Sequence, residues 1–203
     1  MYTKLKKGRE KMMENQKPDR RIKKTKAAFS HALLTLLDEK DFKKITVTDI
    51  VTRADVNRGT FYKHYQAKED LLDEIISDVL ADLEIAYQDP YLKTEHFSVE
   101  TLTPTMVKIF DHVYAYPLFY KQAINEKLRI GFQNQLCDVI KRIALRDLVF
   151  DGGNADPELF ASYQSHAIFG LIVYWVQHDF ADSPAYMSEQ LLYILRADTS
   201  IPK

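Results

Sequence analysis

The chain has one cysteine, one tryptophan, six glycines and seven prolines among 203 residues. The lone thiol, Cys137, cannot close an internal disulfide, which suits a reducing compartment and leaves the core to packing alone. So few glycines and prolines, beside many Leu, Ala, Lys and Glu, favour helix over sheet. No uninterrupted apolar run is long enough to cross a bilayer. The longest, AIFGLIVYWV at 167–176, is about half a span. The amino terminus is basic but lacks the apolar stretch of a secretory signal. There is no phosphate-cradling glycine loop, and His31, His64, His96, His112, His166 and His178 show no metal-ligand spacing. Cys137 has no evident base to activate it. Catalytic residues, a metal and a cofactor are therefore not expected.

What is present is ordinary in amount and unusual in arrangement. Apolar residues make up 46% and charged residues 28%, and the length allows one large domain or two small ones with a real core. The net charge of −1 conceals a polarity: residues 1–70 hold 18 Lys/Arg against 10 Asp/Glu, whereas 71–203 hold 10 against 19. A basic amino-terminal third on an acidic body is the footprint of a polyanion binder.

That third contains ITVTDIVTRADVNRGTFYKHYQAK, residues 45–68, in which two short helical patterns flank a narrow break. Over 47–54, Val47, Ile50, Val51 and Ala54 recur at helical spacing, with Thr46 placed to cap the first turn. Asp55 and Val56 interrupt the pattern. Asn57 caps the second segment, 58–65, where Phe61 and Tyr65 face inward and Arg58, Thr60, Lys63 and His64 face out. Two short helices about a tight turn, the second carrying donors on its outer face, make the pattern of a helix-turn-helix DNA reader.

The rest of the chain is read around this element. Residues 1–18 carry charge without an apolar stripe and are expected as a flexible basic arm ending at Pro18. A helix over 19–40 follows from Ile22, Phe29, Ala32, Leu33, Leu36 and Leu37; Arg20, Arg21, Lys23, Lys24 and Lys26 crowd its first turns, against the helix dipole. A single long linking helix is predicted over 68–87, ended by Asp89-Pro90. Further helices are predicted from Pro104 to 114, over 117–126 and 128–149, from the Asp156-Pro157 cap to 178, and from Ser183-Pro184 onward. The run at 167–176 is apolar nearly all round and must be buried on more than one side. The expected fold is all-α, with about nine helices. A three-helix DNA-binding domain (19–67) is joined by a long helix (68–87) to a helical body (68–203).

From Thr46 to Leu72 the residues resemble the signature of the tetracycline-repressor (TetR) family of bacterial transcriptional regulators. Gly59, Thr60, Tyr62, His64, Lys68, Glu69 and Leu71 stand where that family has them, and the match extends over 21–72. It departs at Asn57, where Ser is commoner, at Asp55, where Gly is common, and at Tyr65, where Phe is usual. The resemblance implies a cytoplasmic regulator, most often a repressor, that binds a palindromic operator in double-stranded DNA as a homodimer. Base reading is expected from Thr48, Asn57, Arg58 and Lys63, with Arg58 suited to a guanine's O6 and N7. Phosphate contacts are expected from Thr46, Thr60, Tyr62, His64 and Lys68.

In the same family the last two long helices pair with their mates in a four-helix bundle. Dimer contacts are accordingly expected from Phe169, Leu171, Tyr174, Trp175, Leu191 and Leu195. Members commonly hold a small-molecule effector among the carboxy-terminal helices. Phe110, Tyr116, Tyr120, Phe132 and Tyr163 are the expected lining, with His112 and His166 as polar anchors. A rival reading keeps the DNA module and puts the body under a protein partner, co-activator or co-repressor, without any small ligand. An enzyme lacks supporting residues, and no membrane association is expected.

Overall fold

The computed structural model describes residues 2–88, 102–124, 129–147 and 156–196, which form nine α-helices and no strand. In chain order these are α1 (Tyr2–Glu39), α2 (Val47–Arg53), α3 (Arg58–Phe61), α4 (Lys68–Gln88), α5 (Ile109–Ala115), α6 (Pro117–Ile124), α7 (Arg129–Asp147), α8 (Pro157–Gln177) and α9 (Pro184–Arg196). The chain divides into two compact units, Met1–Ile75 and Ile76–Lys203, with the boundary inside α4. The expected turn at 151–154 and the stop at Asp89-Pro90 lie outside the described residues.

The first unit is α1, α2, α3 and the opening turns of α4. Its core is Phe29, Leu33, Leu37, Ile45, Ile50, Phe61 and Leu71, each no more than 1% exposed. Phe61 stands edge-on to Phe29, ring centroids 5.3 Å apart, and Tyr65 lies 5.3 Å from Phe61. The Tyr65 hydroxyl donates to Glu74 on α4, and the same carboxylate pairs with Lys26 of α1 at 2.8 Å. A buried aromatic with its polar end satisfied thus ties three helices together.

Several boundaries differ from those expected. α1 begins at Tyr2, so Pro18 and the segment read as an arm lie within the helix. Good helix formers dominate 4–17, and one proline removes a single ladder bond without ending the run. Arg20 to Lys26 therefore sit mid-helix, and the argument from the helix dipole does not apply to them. Ile22, expected to face inward, is 43% exposed. Pro104 opens only a 3-10 turn, Pro104–Met106, and α5 starts at Ile109.

In the second unit α7 and α8 pack along each other, α5 lies on α9, and α6 meets both α7 and α8. The face of α8 that turns inward is Ala161, Gln164, Ser165, Phe169, Ile172, Trp175 and Val176, while Leu159, Tyr163, Gly170 and Tyr174 form the outer stripe. By length and composition alone α8 is apolar enough to cross a membrane, although a third of that window is buried in the unit. Cys137 is buried, its thiol pushed up to about 11 by burial and by Asp138, which leaves it inert.

Candidate nucleic-acid interface and effector region

α2 is fixed at its start by a reciprocal cap. The Thr46 hydroxyl accepts from the Asp49 N–H at 3.2 Å, while Asp49 Oδ2 accepts from the Thr46 N–H at 2.7 Å and its hydroxyl at 2.8 Å. Lys40 joins at 2.9 Å, and these three donors hold the Asp49 carboxyl down to about 2. After α2 the chain turns through Asp55, whose φ of 53° is the left-handed conformation that Asp tolerates better than most residues. This is the place where the family often has glycine, a residue that takes the left-handed conformation freely.

α3 is then launched by Asn57, whose Oδ1 accepts from the Gly59 N–H at 2.7 Å. A Cβ on Gly59 would lie 3.2 Å from that oxygen, so the cap and the missing side chain go together. The helix is one turn, Arg58–Phe61, followed by tighter bonds from Lys63 to Thr60 and from His64 to Phe61. It is therefore shorter than the expected 58–65, though Phe61 and Tyr65 point inward as expected. Thr48, Asn57, Arg58, Tyr62 and Lys63 are exposed, and Thr60 and His64 are partly so. Tyr62 is 49% exposed, and its hydroxyl accepts from Arg58 Nη2 at 3.2 Å, with the guanidinium 5.5 Å over the ring. The outer face of α3 thus carries a guanidinium held by an aromatic, with an ammonium and a hydroxyl beside it.

Two expected phosphate contacts are otherwise engaged. Lys68 Nζ donates to the carbonyls of Phe42 (2.7 Å), Lys43 (3.3 Å) and Ile45 (2.7 Å) and sits 4.6 Å from the Phe42 ring centroid. Its three hydrogens are committed to clamping the loop before α2 onto the start of α4. Thr46 likewise spends its hydroxyl hydrogen and its N–H on Asp49, leaving no donor for a phosphate oxygen.

In the second unit the expected effector residues separate into three groups. His112, Tyr116, Tyr120 and Phe132 come together: His112 lies 4.8 Å from the Tyr116 ring and 5.9 Å from that of Tyr120, and Phe132 is 5.9 Å from Tyr120. Phe110 belongs instead to a core cluster with Trp175, 5.6 Å away and edge-on. Tyr163 and His166 lie on the exposed face of α8, where His166 Nδ1 is 2.8 Å from the Ser162 carbonyl.

Within the first group the Tyr120 hydroxyl meets His112 Nδ1 at 3.2 Å. Which of the two donates depends on the imidazole tautomer. Among the described residues Nε2 is buried without a hydrogen bond, 3.7 Å from Asp82 on α4. Burial pushes the imidazole below its ordinary value against the opposing pull of Asp82 and of the Val79 backbone. Tyr116 donates to Asp82 at 3.0 Å, and burial and Asp82 raise its phenol, as burial and Tyr116 raise that of Tyr120. Asp82 was missed from the sequence, where it is one of several acids on a solvated helix face. A narrow cavity elsewhere in the unit, touched by Tyr87, Ile140 and Gln164, has none of the seven expected ligand residues in its wall. Among the described residues no cluster of three or more His, Cys, Asp or Glu could hold a metal.

The dimer set also divides. Phe169, Trp175 and Leu191 are no more than 8% exposed and fill the unit's own core, with Trp175 Nε1 donating to the Asp182 carbonyl at 3.0 Å. Tyr174 is exposed, and Leu171 and Leu195 are half-buried. The apolar surface these helices leave outside is Leu159, Tyr163, Tyr174, Tyr193 and Ile194, each more than half exposed.

A doubly capped helix pair that presents a basic reader, ahead of an all-helical second unit, defines a helix-turn-helix regulator. Residues 31–75 match the family described as bacterial regulatory proteins, tetR family, and residues 100–197 match a transcriptional regulator C-terminal region of that group. The chain belongs to the TetR family of transcriptional regulators. The HTH-type transcriptional regulator YxbF of Bacillus subtilis is 26% identical over 170 residues, covering 81% of this chain; the chain spans only 43% of that relative's length. Solved structures that share the fold include the following two. A TetR-family regulator from Syntrophomonas wolfei has 16% identity and a TM-score of 0.67, covering 89% of this chain and 99% of its own. FadR from Bacillus subtilis, in complex with stearoyl-CoA, has 17% identity and a TM-score of 0.62, covering 87% and 99%.

Proposed function

We propose that the protein is a cytoplasmic repressor that binds a palindromic operator as a homodimer and is released by a small-molecule effector held in the second unit. The observation that carries this reading is the outer face of α3, where Arg58, Tyr62 and Lys63 are exposed while Phe61 and Tyr65 lock the helix from beneath. Arg58, Lys63, Asn57 and Thr48 read bases, and Thr60, Tyr62 and His64 contact phosphates. One turn of helix reads too few bases alone, so two copies address half-sites about 34–36 Å apart. The mate's contact is the exposed stripe of α8 and α9. Gly170 lies in it with no atom within 4 Å of where a Cβ would stand, so helices can approach closely there.

An effector in the second unit is supported by a related fold that takes stearoyl-CoA. Selecting bound sequences from random DNA tests the reading directly. The recovered motif is expected to be an inverted repeat, and Arg58→Ala to relax one base pair in each half by about 1–3 kcal/mol. Fractions of cell extract are then screened for release of the recovered site. An asymmetric motif, or one unchanged by substitutions across α3, refutes the proposal.

A further inference from the structure

Gln164 lies on the inward face of α8, 8% exposed, and its side-chain amide makes no hydrogen bond among the described residues. It borders a cavity of about 40 Å³ whose wall includes Tyr87 of α4, Ile109 of α5, Ile140 of α7, Ile168 of α8 and Leu191 of α9. Buried polar groups in folded proteins have partners, so an amide left open on a cavity marks where a partner goes. The void is large enough for about three waters.

The wall specifies the chemistry of the occupant. Apart from Gln164 and Tyr87 every lining side chain is aliphatic, and none is charged. A carboxylate or phosphate entering here would shed its hydration and meet no cation. A carboxamide offers an acceptor and two donors at one fixed place, which fits a group that both donates and accepts. The aliphatic remainder suits a short hydrocarbon tail.

We propose that this cavity binds a small neutral amphiphile, a short-chain primary amide or alcohol, with its polar end on Gln164 and its alkyl end against Ile109, Ile168 and Leu191. The proposal rests on the reading of the second unit as a sensor, and it gives that sensor a ligand class. Because α4, α5, α7, α8 and α9 all contribute to the wall, a molecule that widens the cavity moves every one of them against its neighbours.

The test uses the full chain without DNA, so its failure leaves the operator-binding result untouched. Methyl-labelled protein is titrated with propionamide, with butyramide, and with propionate, which matches propionamide in size and differs in charge. Saturable shifts at the Ile109, Ile168 and Leu191 methyls are expected with the two amides, with propionate at least tenfold weaker. Gln164→Leu should lose at least tenfold of the propionamide affinity. Gln164→Met is the second variant should Leu perturb folding, and the isosteric ligand pair in the unaltered protein serves without either. Equal response to propionate, unchanged affinity in the variants, or a cavity that holds only ordered water under saturating amide would overturn the proposal.

Discussion

Replacing Lys68 by methionine keeps an apolar stem over Phe42 and removes the ammonium that three carbonyls share. The two bonds of 2.7 Å, to Phe42 and Ile45, account for most of the effect, since the third at 3.3 Å is long. A hydrogen bond from a charged donor is worth about 1.5–3 kcal/mol. Lys68 is only partly buried, so the low end applies: the pair comes to about 3 kcal/mol, and solvent screening brings the total, ring contact included, to about 2–3 kcal/mol. In a unit the size of Met1–Ile75, each kcal/mol moves the thermal midpoint by roughly 4–8 °C. Lys68→Met should therefore lower the melting of that unit by about 10–20 °C. Circular dichroism follows the loss of helix, while fluorescence of the single tryptophan, Trp175, reports the second unit and should hold its midpoint. On folded protein the slope of log affinity against log salt should match the parent's. An unchanged midpoint, with a slope smaller by about 0.9, would refute the reasoning and return the ammonium to a phosphate.

Two further outcomes follow from titratable groups. Asp49 is held down to about 2 by Lys40 and by Thr46, below its unfolded value of 3.8, so its contribution is complete above pH 4 and disappears as the pH falls through 2. With a third of the side chain exposed the contribution is about 1 kcal/mol; Asp49→Asn should show that deficit in urea at neutral pH and lose it near pH 2, and a deficit that persists at pH 2 counts against the cap. His112 is neutral at pH 7 because burial pushes it below 6.5, so acidification below that point protonates the unfolded chain first and weakens the fold. Its ring resonances in NMR should titrate below 6.5, and lower still in Asp82→Asn, which removes the carboxylate that supports the charged form; a midpoint at or above 6.5 would refute this account.

Local features of the fold were legible because their partners are neighbours in sequence. Thr46 with Asp49, Asn57 with Gly59, and Asp156 with Pro157 are each settled within three residues, and each forms as its spacing predicts. The outward face of α3 could be read for the same reason, since Phe61 and Tyr65 fix by elimination what remains outside. The clamp that Lys68 makes was not legible because its carbonyl partners lie 23 to 26 residues away, a pairing that no pattern announces. Asp82 meets Tyr116 across 34 residues and was invisible for that reason. On α8 the difficulty was different. A helix apolar nearly all round gives periodicity nothing to select, so Phe169 and Trp175 were assigned to a mate although they fill the unit's own interior. The aromatic side chains raised as effector contacts were likewise of one chemical kind, and only tertiary packing sorted Phe110 from Tyr120 and from Tyr163.

Under the proposed reading, a second copy seated on the outer stripe of α8 and α9 would make gene output a nonlinear function of protein number. Where copies are scarce, operator occupancy would then climb with the square of their concentration, and halving synthesis would cut repression by roughly fourfold. A solitary copy would meanwhile carry five bare tyrosine, leucine and isoleucine side chains into a crowded cell. Promoter strength for this gene is then constrained from below by stickiness of the unmated chain as much as by the need for control.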